Sequence, residues 1–261
     1  MKSKRRVLAV FTVLALVLAA CGEDEGGGDV DADELGLITE DVLTVCTDSP
    51  YVPMEFEQDG EFTGFDIELM RAISEELGLS GIEVVNTGFD PITSGLAMEA
   101  GDCDIAAASI TITEEREENI DFTDGYFTAN QSLLVADGAP TALADFSGSS
   151  LAVQTGTTGE AYAVENAPED TDIQSFENPG DVFTALEAGN VQGVLQDIVP
   201  NAAYALENEG VTLAEEFETN EVYGFATEEE GAEALLEAVN EALATLRDNG
   251  TYDDIYAEWF N

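Results

Sequence analysis

Ser109-Ile110-Thr111-Ile112-Thr113-Glu114-Glu115-Arg116 is the stretch from which the rest of the chain can be read. It completes a run over 104–109 whose apolar residues suit a buried strand, and it leads to a helix start that carries an arginine. Cations are scarce here: seven Lys and Arg stand against 56 acids, for a net charge of −49. The seven are Lys2, Lys4, Arg5, Arg6, Arg71, Arg116 and Arg247. From Cys21 onward three arginines less 56 acids leave −53. A guanidinium pairs bidentately with a planar carboxylate, and ligands of open α/β sheets sit at the carboxyl ends of strands. Arg116 at a strand end, with the hydroxyls of Ser109 and Thr111 beside it, therefore reads as the seat of a ligand carboxylate. The competing reading pairs Arg116 with neighbouring glutamates on a solvated helix.

Outward from this stretch, strands alternate with helices. Upstream lie a strand over 43–47 that ends at Asp48, a loop over 49–56, and a helix over 64–78 with Phe65, Leu69, Ile73 and Leu77 four apart. A strand over 82–85 follows, then a helix capped by Asp90, opened by Pro91 and ended by Gly101. After Phe127 a second series begins, with strands over 131–136, 150–154, 173–176 and 191–196. Its helices follow Gly156 and cover 181–188 and 199–207. A return strand over 221–227 leads to a helix over 229–247 stopped by Gly250, and to a last short helix whose Tyr256, Trp259 and Phe260 should pack on the first series. The fold class is α/β, with two lobes of mostly parallel sheet flanked by helices. Lobe 1 is discontinuous, 41–128 plus 222–261, and lobe 2 is 129–221.

Residues 1–6 are basic and 7–20 form an apolar run too short to span a bilayer, so 1–20 read as a secretion signal. It ends Leu18-Ala19-Ala20-Cys21, which resembles a bacterial lipobox and implies a lipidated (palmitate-bearing) Cys21 anchoring the chain outside the cytoplasm. Residues 21–40, rich in Gly and acid, read as a flexible tether. The acidic charge excludes nucleic acid and anionic lipid surfaces as partners and reads as a halophilic surface held by salt screening. Export permits a disulfide; a Cys46–Cys103 bridge and two buried free thiols both fit the pattern. With no His and no Cys/His cluster, neither a zinc site nor a His-based triad is expected, and no cofactor is called for.

Six segments taken together resemble the bacterial extracellular solute-binding proteins of the polar amino-acid type, family 3, the receptors of ABC importers. They are YVPMEF (51–56), GFDIELMRAI (64–73), ASITITEERE (108–117), IDFTDGYF (120–127), LAVQTGTTGE (151–160) and DNGTYDDIYAEWF (248–260). The resemblance implies a periplasmic-binding-protein-like fold of type II, two lobes joined by two hinge crossovers that close on an amino acid. It places Arg116 on the α-carboxylate with Ser109 and Thr111 as accompanying donors. Gly156, Thr157 and Thr158 fall on the second lobe's anion-binding turn, where free backbone N–H groups at a helix start favour negative charge. Asp197 falls on the acceptor of the α-ammonium. Tyr51 and Phe89 fall on positions that sandwich the ligand, although either serves equally as a core residue.

Asp48, Glu55 and Gln131 lie near this mapped cleft and lean the ligand toward a polar or basic side chain. Gln192 and Met54 depart from the Asp and Phe common in relatives, and bear only on side-chain preference. The implied protein is a non-enzymatic, monomeric, lipid-anchored receptor that delivers an amino acid to a membrane permease driven by a cytoplasmic ATPase. Two alternatives share the fold. A cyclohexadienyl or arogenate dehydratase-like enzyme needs an acid/base constellation, and none can be singled out among 56 acids. A sensory module needs an attached spanning helix and signalling domain.

Overall fold

The computed structural model describes residues 35–260. The apolar run after Asp41 forms β1 (Val42–Thr47), buried at all but its first residue. Where a plain loop over 49–56 was expected, the chain runs on into a hairpin of β2 (Phe56–Gln58) and β3 (Glu61–Thr63). Asp59-Gly60 makes its turn, both residues at positive φ. In α1 (Phe65–Glu76) the four-residue spacing buries Phe65, Leu69 and Ile73 on one face. Glycine is required just before it: at Gly64 a Cβ would lie 2.3 Å from the Met54 carbonyl oxygen.

β4 (Gly81–Asn86) pairs with β1 in parallel. The single helix expected over 91–101 is two short pieces, α2 (Phe89–Thr93) and α3 (Leu96–Glu99), and Asp90 lies inside the first instead of capping it. Gly95 marks the break, with φ 79° and the Asn119 carbonyl oxygen 2.7 Å from where a Cβ would stand. The strand expected over 104–109 keeps only two ladder residues, β5 (Ile105–Ala106). Beyond them the backbone leaves the sheet: Ser109 takes a φ of 50° and Thr111 pairs with Tyr223. Arg116 opens one 3-10 turn, Arg116–Glu118, and not an α-helix. β6 (Ile120–Phe122) follows.

The second series is β7 (Phe127–Ala136), β8 (Ser150–Gln154), α4 (Thr158–Asn166), β9 (Asp172–Phe176), α5 (Pro179–Glu187), β10 (Gly193–Asp197) and α6 (Ile198–Glu207). Next comes β11 (Val211–Tyr223), antiparallel to β7. The return strand expected over 221–227 is therefore the end of β11 plus a separate β12 (Ala226–Glu228) in the other sheet. α7 (Glu233–Asn249) is capped by Gly250 in the left-handed region, and α8 (Thr251–Phe260) ends the described chain.

Two five-stranded sheets result, ordered β4-β1-β5-β12-β6 and β11-β7-β10-β8-β9. In each, four strands run one way; the exceptions are β12 and β7, the strands by which the chain enters each sheet from the other. The outward crossover lies between Phe122 and Phe127 and the return between Tyr223 and Ala226. Phe65 packs against Tyr252, Tyr256 and Phe260, and Phe56 against Trp259, so the late aromatics do lie on the first sheet's helices. Cys46 and Cys103 form a disulfide, which decides between the two readings of those thiols. Residues 35–40, assigned to the tether by composition, lie against the first half: Leu35 is buried and the Ile38 N–H donates to Asp104 Oδ1 at 2.7 Å. The signal over 1–20, Cys21 and the tether up to 34 fall outside the described residues.

Candidate functional site

The carboxyl ends of parallel strands from both sheets converge on one cavity, as strand direction dictates for such sheets. From β1 come Asp48, Tyr51 and Glu55; from α2, after β4, comes Phe89; from beyond β5 come Ser109, Thr111 and Arg116. The other sheet supplies Gln154, Thr157 and Thr158 after β8, and Asp197 at the end of β10. The halves touch directly across it: Tyr51 Oη donates to Asp197 Oδ2 at 2.8 Å, and Gln154 Nε2 to Asp48 Oδ2 at 2.6 Å.

Arg116 is 7% exposed. Its guanidinium donates to the Thr111 carbonyl at 2.6 Å and to the Gly156 carbonyl at 3.2 Å, and lies 4.9 Å above the Phe89 ring. Two neutral oxygens and a ring face do not neutralise a buried cation. The one ion pair among the described residues is Arg71–Glu68, on the surface of α1. Burial pulls the Arg116 pKa down, while Asp197 and Glu221 nearby push it up. A buried guanidinium with spare donors and no carboxylate within ion-pair distance can take a planar anion.

Asp197 is 8% exposed and accepts three hydrogen bonds, from the Tyr51 and Tyr223 hydroxyls on Oδ2, the latter at 2.6 Å, and from the Gln131 side-chain amide on Oδ1, which leaves acceptor capacity on Oδ1. Burial, reinforced by Glu221, lifts its pKa to about 6 against these hydrogen bonds. Burial likewise lifts Asp48 to about 6 and Glu55 well above the carboxylate range. Deeper, Asp66 on α1 is raised to about 7 by burial, although the Tyr126 hydroxyl at 2.7 Å and the Ser109 N–H at 2.9 Å favour its ionised form. The cavity thus holds one cation among several carboxyls whose pKa values burial raises.

Arg116, Asp197, Thr111, Ser109, Thr158, Thr157, Tyr51, Phe89 and Asp48 all line the cavity. Gly156 lines a second cavity at its mouth. Phe89 serves both readings, buried in a core cluster while facing Arg116. The hydroxyls are engaged within the cavity wall: Ser109 Oγ donates to Glu55 at 3.2 Å, Thr111 Oγ1 to Glu221 at 2.8 Å, and Thr158 Oγ1 to Glu221 at 2.6 Å while accepting from Gln131 Nε2 at 3.3 Å. Thr157 is the N-cap of α4: its hydroxyl accepts from the Glu160 N–H and donates to the Gln154 carbonyl. The Gly156 N–H is taken by Glu160, so the free amides of that turn narrow to Thr157, Thr158 and Gly159. Glu221 and Tyr223 were not singled out from the sequence; their one signal was spacing, since residues two apart on a strand share a face.

A cavity walled by two mostly parallel sheets, with a buried unpaired guanidinium on one wall and a carboxylate on the other, defines a two-lobed small-ligand-binding protein of the type II periplasmic class. The chain belongs to the bacterial extracellular solute-binding proteins, family 3, whose model matches residues 43–261. It is 33% identical to the ABC transporter glutamine-binding protein GlnH of Bacillus subtilis (strain 168), over 97% of this chain and 95% of that one. Among solved structures, an ancestral arginine-binding protein bound to arginine is 35% identical, with a TM-score of 0.78 over 84% of this chain and 98% of that one. The ancestral amino-acid-binding protein AncCDT-1, described as a precursor of cyclohexadienyl dehydratase, is 36% identical, with a TM-score of 0.77 over 84% and 96%.

Proposed function

We propose that the chain captures an amino acid with a polar or basic side chain outside the cytoplasm and hands it to the permease of an ABC importer. The observation that carries this is Arg116: a buried guanidinium with spare donors and no carboxylate partner among the described residues, in a chain with 56 acids. Arg116 and the Thr158 and Gly159 amides hold the α-carboxylate. Asp197 takes the α-ammonium, and Tyr51 and Phe89 flank the ligand. Asp48 and Glu55 meet the side chain. The lobes are 41–128 with 222–261, and 129–221; closure buries the zwitterion between them. Cys21 carries the lipid that holds the protein, as a monomer, at the membrane. The relatives named for glutamine and for arginine support a polar or basic ligand.

The test is a thermal-shift panel of the twenty amino acids in salty buffer. A ligand at a hundred times its dissociation constant adds about 2.7 kcal/mol, so arginine, glutamine or a similar residue should raise the melt by several degrees. A panel in which only leucine-like ligands act, or none does, contradicts the proposal. The likeness to a dehydratase precursor and the carboxyls whose pKa burial raises favour a second arm, mixing with prephenate or arogenate. No product is expected, and product formation would make the protein an enzyme.

A further inference from the structure

Past β5 the chain leaves the first sheet and bends at Ser109, a non-glycine residue with a φ of 50°. An L side chain carries a penalty in that region, so the bend needs a hold. Two buried carboxyls supply it: the Ser109 N–H donates to Asp66 Oδ2 at 2.9 Å and the Ser109 Oγ to Glu55 Oε2 at 3.2 Å. Asp66, in the first turn of α1, is fully buried, and its Oδ1 meets no donor among the described residues. Burying a carboxyl with one oxygen unpaired costs folding free energy. What offsets that cost gathers on Oδ2, which takes the Ser109 N–H and the Tyr126 hydroxyl. From Ser109 the backbone runs onto the return crossover. The Gly224 N–H donates to the Ile110 carbonyl at 3.0 Å and the Ile112 N–H to the Val222 carbonyl at 2.9 Å, either side of the Thr111–Tyr223 pair. The Thr111 carbonyl between them accepts from the Arg116 guanidinium at 2.6 Å. We propose that Asp66 is a positioning residue for the carboxylate clamp: it holds Ser109 in the left-handed bend, the bend places the Thr111 carbonyl, and that carbonyl orients Arg116 in the cleft. The inference rests on the amino-acid-binding reading above.

The test is a double-mutant cycle on the folded protein, titrated calorimetrically with L-arginine and L-glutamine. The chains are the wild type, Asp66→Ala, Ser109→Gly, the double variant and Tyr126→Phe. Asp66→Ala should weaken binding about tenfold, the fall in competent population that the left-handed penalty sets for an L residue. Glycine enters that region freely, so in the Ser109→Gly background the same substitution should cost no more than about twofold. Tyr126→Phe removes the other donor to Oδ2 and should leave affinity within about twofold of the wild type. An undiminished loss in the Ser109→Gly background, or a tenfold loss from Tyr126→Phe, would mean that Asp66 gives only general core support, and would overturn the proposal. Unchanged affinity in Asp66→Ala would do the same. If Asp66→Ala does not fold, Asp66→Leu/Tyr126→Phe replaces it in the cycle, since exchanging both partners of a buried hydrogen bond for apolar groups can be nearly neutral; the same outcomes decide. Should the wild type bind neither amino acid, the functional reading is at fault and Asp66 is judged on amide hydrogen exchange. The Ile112 and Gly224 amides should exchange about tenfold faster in Asp66→Ala than in the wild type, and in the double variant no faster than in Ser109→Gly alone. Exchange that Asp66→Ala leaves unchanged would overturn the proposal.

Discussion

The two crossovers perform different tasks with the same kind of residue. Each carries a buried tyrosine that donates to a buried carboxyl: Tyr126 to Asp66 at 2.7 Å on the outward path, Tyr223 to Asp197 at 2.6 Å on the return. Tyr126 is also stacked on Phe225, 4.0 Å between centroids, but its hydrogen bond stays within the first half, on α1. The return path reaches both ways, for Tyr223 holds Asp197 of the second sheet while its backbone pairs with Thr111 of the Arg116 loop. One path is a pivot set into a core; the other is in register with the ligand site. Hinge strands are thus not equivalent merely because they lie side by side.

The largest expected effects fall where the return path meets the clamp. Arg116→Lys keeps the charge but loses the fork, and should cost about 2–5 kcal/mol of binding free energy, the range for breaking a buried charge pair. Asp197→Asn should cost a similar amount for the natural amino acid and much less for its des-amino analogue, which leaves no ammonium unpaired. Titration calorimetry with both ligands reads this directly. Equal weakening of the two ligands by Asp197→Asn would show the ammonium to be held elsewhere.

Next come the tyrosines themselves. Tyr223→Phe should weaken ligand binding by about 1–3 kcal/mol, the cost of removing one partner of a buried polar group. Tyr126→Phe should take a similar amount from folding stability and little from affinity. Denaturant melts and titrations on the pair break the comparison if the two variants behave alike.

A smaller effect comes from pH. Asp48 and Asp197 ionise near 6 in the fold against an ordinary 3.8, so between those values the native state binds more protons than the unfolded chain. Stability from these groups is therefore greatest in acid and declines as pH rises from about 4 to 6. A cationic ligand favours the ionised carboxylates, so its affinity should rise over pH 5 to 7 with proton release, which titration in buffers of different ionisation heat detects. A pH-independent affinity would remove Asp48 and Asp197 from the ligand's charge recognition. Smallest of all is Arg247→Lys. Its guanidinium donates to the Gly125 carbonyl on the outward crossover at an exposed position, and the exchange should move affinity by no more than a few tenths of a kcal/mol.

Much of this was legible because local signals carry it. The apolar run at 150–154 is β8 to the residue, and the four-residue spacing of Phe65, Leu69 and Ile73 is the buried face of α1. Arg116 stood out by rarity, while Asp197 came from the family resemblance, with its place at a strand end as support. What was hidden depends on distant pairing. β11 carries four glutamates among its 13 residues, mostly alternates exposed with half-buried positions and has two register shifts, so no apolar run announced it. Glu221 meets Thr111 across 110 residues, a contact that no local signal in the sequence announces. The helix expected at Arg116 failed for a related reason: the loop's backbone is taken up by the return crossover, which leaves it one 3-10 turn.

The Cys46–Cys103 bridge also has an experimental use. It accounts for both cysteines among residues 35–260 and confines them to the first sheet and its approach. A cysteine introduced in the second half, for example at Leu206 on α6, 88% exposed, would be the only free thiol in that span. A fluorophore attached there, paired with the intrinsic emission of Trp259 on α8, would turn the protein into an optical gauge of its own opening and closing.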